Sequence, residues 1–122
     1  MNKKEVKRLA EKYLETTIDI YGFSKYQYSS PYIVIEDSPY DDAEDKSMTG
    51  EYMHDDNELV IYWKNVRDEV ELARTIIHEY QHYLQSPKWM TRYYNMGYTY
   101  NNHPYEIQAN VEENKNWRKV CK

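Results

Sequence analysis

Cysteine is nearly absent: Cys121, one residue from the end, is the only one, so no internal disulfide forms and no thiolate metal site is built. A reducing compartment is the simpler expectation. Long apolar runs are also missing. Met1 to Glu15 is charged and amphipathic rather than signal-like, and no later segment approaches membrane-spanning length, so a cytoplasmic protein with no membrane partner is expected. Positive charge is in deficit: the net charge of -5 argues against general nucleic-acid affinity. Glycine is scarce, with 3 residues against 15 tyrosines, so much of the apolar burial falls to rings whose hydroxyls need water or a partner. Some of those tyrosines are candidates to line a substrate groove.

What remains fits a single domain over residues 1–122, with no block of contrasting composition and no repeat. From Asn2 to Tyr21, apolar residues such as Val6, Leu9, Ala10, Tyr13 and Leu14 recur every three or four positions, which predicts a helix ended at Gly22. Tyr32 to Ile35 reads as a strand. Gly50 to His54 and Glu58 to Trp63 read as two more, joined through Asp55-Asp56-Asn57. Leu59 to Trp63 is the most apolar stretch and is expected to be central or well covered. Helical period returns from Val66 and runs to about Gln85, before Ser86-Pro87. Ser86 to His103 is expected to be a loop of about 18 residues. Pro104 opens a last helix with Ile107, Val111 and Trp117 as its buried side. The fold class is α+β.

His78-Glu79-Tyr80-Gln81-His82 carries the chemistry. Two histidines four apart on a helix project the same way, so both imidazoles reach one ion. Glu79, about 100° around the axis, stays out of the ligand set but near enough to take a proton from a metal-activated water. A third ligand is expected. Glu106 on the last helix is the candidate, with Glu113 and His103 as substitutes; the competing role for Glu106 is at the third position of the helix, satisfying backbone amides or the helix dipole.

With Glu106-x-x-Ala109-Asn110 added, the chain resembles gluzincin-type zinc metallopeptidases, in particular the minimal ImmA/IrrE-like and phage-encoded relatives. The likeness covers Leu59 to about Glu113 and departs from the pattern at Gln81, where many relatives carry glycine. It implies a zincin-like fold, a strand along the cleft before the metal helix, which is Leu59 to Trp63 here, and an Ala109 small enough to pack by the histidines.

Within the Ser86 to His103 stretch there is no acid, while Lys88, Arg92, Trp89, Tyr93, Tyr94, Tyr98 and Tyr100 are present. Such a segment packs over the active helix, holds a peptide, or stacks on single-stranded nucleic acid. Tyr98, Tyr100 and His103 are the candidates to steady an oxyanion. From Glu36 to Glu58, ten acids face one lysine, a run suited to basic substrates or to a solvated surface. The expected activity is zinc-dependent cleavage of peptide bonds in a peptide or protein substrate, with zinc held by His78, His82 and Glu106, and Glu79 as the base. The alternatives are a zinc-containing binding or regulatory module without turnover, and a nucleic-acid-associated protein with a structural metal.

Overall fold

Leu59, Val60, Ile61 and Tyr62 are all buried, so their strand needs cover on both faces, and it lies in the middle of the sheet. The computed structural model describes residues 1–122. In chain order the elements are α1 (Lys3–Tyr21), β1 (Tyr32–Glu36), β2 (Gly50–Met53), β3 (Glu58–Tyr62), α2 (Glu69–Leu84), α3 (Pro87–Asn95) and α4 (Pro104–Val120), with short 3₁₀ turns at Trp63–Asn65 and Tyr100–Asn102. The architecture is α+β, four helices around a mixed three-stranded sheet of order β1-β3-β2, in which β1 runs parallel and β2 antiparallel to β3. No helix is long and apolar enough to cross a membrane.

On one sheet face Leu59 and Ile61 enter a core with Val6, Leu9, Ala10 and Tyr13 of α1 and Leu72, Ala73, Ile76 and Ile77 of α2. Each fully buried Leu or Ile there contributes about 1.5–3 kcal/mol. On the other face, Val60 and Tyr62 lie with Val34, Met53 and Tyr40, so the acidic 38–49 connection reaches across the sheet. Buried tyrosines find partners for their hydroxyls: Tyr80 donates to the Gly22 carbonyl, and Tyr83 donates to Ser29 O at 2.9 Å and accepts from Ser24 N.

Local chemistry sets the ends of these elements. Asn2 Oδ1 caps α1 through Glu5 N at 2.8 Å, and Gly22 leaves it with φ of 75°. Asp68 Oδ1 caps α2 through Glu71 N at 2.8 Å. In the β2–β3 turn Asn57 takes φ of 52° and binds outward: its Nδ2 donates to Ser29 O and Ser30 O, and its Oδ1 accepts from Tyr52 OH. Asn tolerates the left-handed region and supplies these bonds together.

Three expectations are corrected. The strand beside the cleft is β2 rather than Leu59 to Trp63, because a strand apolar on both faces is enclosed and leaves the edge to a more polar one. The 86–103 segment is not a loop: Ser86-Pro87 ends one helix and starts another, Ser86 Oγ capping α3 with Pro87 in its first turn. The buried side of α4 is Glu106, Ala109, Asn116 and Val120, while Ile107 and Val111 are more than half exposed. Two apolar residues on that helix yield to a polar face directed at α2.

Candidate metal centre

His78 and His82 stand one turn apart on α2, with ring centroids 5.2 Å apart. Glu106, in the first turn of α4, spans them: one carboxylate oxygen lies 3.1 Å from His78 Nε2 and the other 2.6 Å from His82 Nε2. One ligand atom from each of the three residues lies within 4.8 Å of the others. This is a close-set donor group of two imidazoles and one carboxylate, the set that suits zinc.

The far side of each ring is also engaged. His78 Nδ1 lies 2.9 Å from Glu113 Oε1, two turns beyond Glu106 on the same face of α4. Arg74 stands near Glu113 at 3.8 Å and donates to Asn114 Oδ1 at 2.6 Å. His82 Nδ1 lies 2.7 Å from Gln85 Oε1. Gln85 cannot be turned round, because its Nε2 donates to the Tyr105 carbonyl at 3.2 Å and to Gln108 Oε1. Both Nδ1 atoms therefore carry protons, and both Nε2 atoms are the ones available as lone pairs.

Each Nε2 atom faces the Glu106 carboxylate, whose charge favours the protonated ring. Burial opposes charge on His78, yet hydrogen bonds to Glu106 and Glu113 and the charge of Glu79 outweigh it and raise the ring from 6.5 to about 10. His82 is raised by the same contest, chiefly burial against its bond to Glu106. Burial likewise disfavours the Glu106 anion, but the two histidines hold it far below the usual carboxylate range. Two imidazoles and a carboxylate that converge within 4.8 Å, each ring with its outer nitrogen held by a partner, fit a divalent metal.

Glu79 lies beside this group and accepts a hydrogen bond from Tyr52 N at 3.1 Å. Burial raises its carboxyl above the ordinary value against the pull of His82 and His78. A carboxylate raised by burial is a better proton acceptor than an exposed one. The Tyr52 amide points out from the sheet edge because Glu51 and Val60 form the bonded pair of the ladder, leaving the flanking residues outward.

The centre opens into a cleft of about 1130 Å³, with β2 on one side and α3 with the Tyr100–Asn102 turn on the other. Tyr26, Tyr40, Tyr52, Tyr83 and Tyr100 line it. Of the three residues considered for an oxyanion, only Tyr100 does so. Burial raises its phenol, and Glu106 and Glu79 raise it further, keeping it a proton donor. Tyr98 packs edge-on against Tyr93 and stands outside the cleft lining. His103 is buried and spent: Nδ1 caps α4 through Tyr105 N at 3.1 Å and Nε2 bonds Met90 O at 3.0 Å. It is neither a substitute ligand nor a donor to the cleft.

Glu113, considered as a substitute ligand, instead holds the outer nitrogen of His78. Gln85 and the Tyr52 amide were not anticipated. Gln85 has a sequence signal, three residues beyond His82 and so on the same helical side; the amide has none, since side-chain patterns do not report which backbone groups face outward. No protein-family model, curated protein or solved structure matches this chain.

Proposed function

We propose that this chain is a metal-dependent hydrolase of gluzincin type that cleaves peptide bonds. One observation carries the reading: His78, His82 and Glu106 converge from two helices with Glu79 beside them. His78 Nε2, His82 Nε2 and the Glu106 carboxylate would hold zinc, and the bound ion supplies Lewis acidity toward a carbonyl and toward water. The rest is done by side chains and backbone.

Glu79 takes the proton released when water attacks and later passes it to the leaving amine. Its raised carboxyl suits both halves of that cycle. Tyr100 donates its hydroxyl to the oxygen on which negative charge develops. Glu113 and Gln85 keep the imidazoles oriented through their outer nitrogens. An extended substrate adds to the open edge of β2, where the backbone groups of Gly50 and the carbonyl of Tyr52 face out, the Tyr52 N–H being held by Glu79.

The cleft favours a peptide over nucleic acid. Its lining holds several carboxylates, which repel phosphate, while Lys88 and Arg92 of α3 are exposed outside it. Metal analysis with a broad peptide-library assay on wild type and Glu79→Gln tests the proposal. One zinc per chain in both, with a roughly 10²–10⁴-fold slower cleavage in the variant, is the expected result. One zinc per chain and no Glu79-dependent cleavage in any pool would refute it and leave a zinc-containing binding module.

A further inference from the structure

We infer that the cleft selects peptide segments carrying Lys or Arg at alternate positions around the cut bond. This rests on the peptidase reading and names its substrate class.

Asp42, Glu44, Asp45, Glu51, Asp55 and Asp56 all line the cleft that holds Glu79, His82 and Glu106, and no Lys or Arg lines it. The wall is not neutralised from within. Among the six, only Asp55 has a basic side chain within 4.0 Å, the His54 ring at 3.8 Å. Lys46, the single lysine of the acidic connection, places its ammonium on the carbonyls of Tyr40 and Asp41. Arg92, across the cleft on α3, stacks on Trp89 at 4.9 Å.

Acids alone would be a solvated surface. Their position relative to the sheet edge makes them a selector. Glu51 and Tyr52 project to opposite faces of β2, Tyr52 toward the helices and Glu51 toward Tyr62, whose hydroxyl donates to it at 3.0 Å. Ser38 and Tyr40 of the 38–49 connection lie over that second face with Asp56, and Asp42, Glu44 and Asp45 further along it line the cleft. A strand added to β2 sends alternate side chains over the same two faces. One set meets the ring Tyr52–Tyr83 and the metal helix; the other meets Glu51 and the acidic connection. Cationic side chains gain at every second position, and acidic ones are repelled.

The test uses the zinc-loaded full chain and three synthetic peptide pools of equal length, enriched in Lys and Arg, in Ser and Ala, or in Asp and Glu. Cleavage products are sequenced, and binding of each pool to zinc-loaded Glu79→Gln protein is measured at low and high salt. The expected result is Glu79-dependent cuts flanked by alternate Lys or Arg, with a preference for the basic pool over the neutral pool that shrinks with salt. In Asp42→Asn/Glu44→Gln/Asp56→Asn, three exposed side chains, that preference falls about tenfold, as three charges several ångströms from a substrate in high dielectric imply. Zinc content and circular dichroism confirm that this variant is folded.

Glu79-dependent cleavage with no Lys or Arg enrichment would overturn the specificity and leave the peptidase reading standing. No cleavage of any pool would overturn the peptidase reading. Binding then judges the acidic cleft alone: retention of the basic pool that falls in Asp42→Asn/Glu44→Gln/Asp56→Asn supports cation recognition there, and equal retention of all three pools, or retention unchanged in that variant, overturns it.

Discussion

Replacing Gln85 with leucine separates a positioning role from a merely structural one. Gln85 is buried; its Oε1 faces His82 Nδ1 at 2.7 Å while its Nε2 faces the Tyr105 carbonyl at 3.2 Å. Leucine fills similar space but accepts nothing, so an N–H at His82 Nδ1 would be left without a partner at a cost of about 1–3 kcal/mol. The metal-free ring escapes that cost by releasing its Nδ1 proton and keeping one on Nε2, which occupies the lone pair a metal needs. The penalty therefore falls on metal binding, and at about 1.4 kcal/mol per tenfold it predicts roughly 10–100-fold weaker affinity. Gln85→Glu is the counter-test. It keeps an acceptor for His82 and loses the donor to Tyr105, so affinity stays within a few-fold of wild type although stability falls. Cobalt titration against a chromophoric chelator, with the visible cobalt spectrum reporting the ligand set, measures both variants. Wild-type affinity in Gln85→Leu, or an equal loss in Gln85→Glu, would refute the reasoning.

Gly50→Ala brings a Cβ to 2.8 Å from the Val60 carbonyl oxygen and 2.6 Å from Thr75 Cγ2; because the first is backbone, a loss of about 1–3 kcal/mol is expected, seen as a lower urea midpoint at unchanged slope. Asn57→Ala is expected to lose about 2–3 kcal/mol, and Asn57→Gly roughly 1 kcal/mol less because glycine keeps the φ of 52° without strain; equal losses in urea unfolding would show that the conformation contributes nothing. Burial pushes the phenols of Tyr21 and Tyr52 up to about 12. A raised folded value means stability complete below the ordinary 10.0 and lost as pH rises from there through about 12, since only the unfolded chain releases those protons readily. Exposed tyrosines such as Tyr28 ionise in the folded chain, and a further part of the phenolate absorbance should appear only with loss of circular dichroism; ionisation of all the tyrosines near pH 10 in folded protein would contradict this.

Much of the fold follows from local pattern, and its failures share a cause. The ends of α1 are visible as Asn2 and Gly22 because capping is a property of a few adjacent residues. The facing of His78 and His82 follows from helical period alone. Helix α3 is hidden because Ser86-Pro87 is both a stop signal for the helix before it and a cap with Pro in the first turn for the one after. The inward face of α4 is hidden for another reason: Ile107 and Val111 suggest an apolar stripe, but the pairing of Glu106 and Glu113 with His78 turns the helix the other way. Charged partners across two helices outweigh two branched apolar residues. The Tyr52 amide depends on ladder register, which pairing decides and composition does not.

That register has a consequence for how this chain can change length. The hydrogen bond from Tyr52 N to Glu79 ties one residue of the metal helix to the phase of a short hairpin. One residue gained or lost in the Asp55-Asp56-Asn57 turn would slip β2 by a step against β3, turn the Tyr52 amide inward and send Glu51 to the helical face. Insertions in the 38–49 connection leave that phase untouched. Two neighbouring surface segments of similar acidity are thus unequal: one is free to lengthen, while the other is held to its length by a single carboxylate on another element.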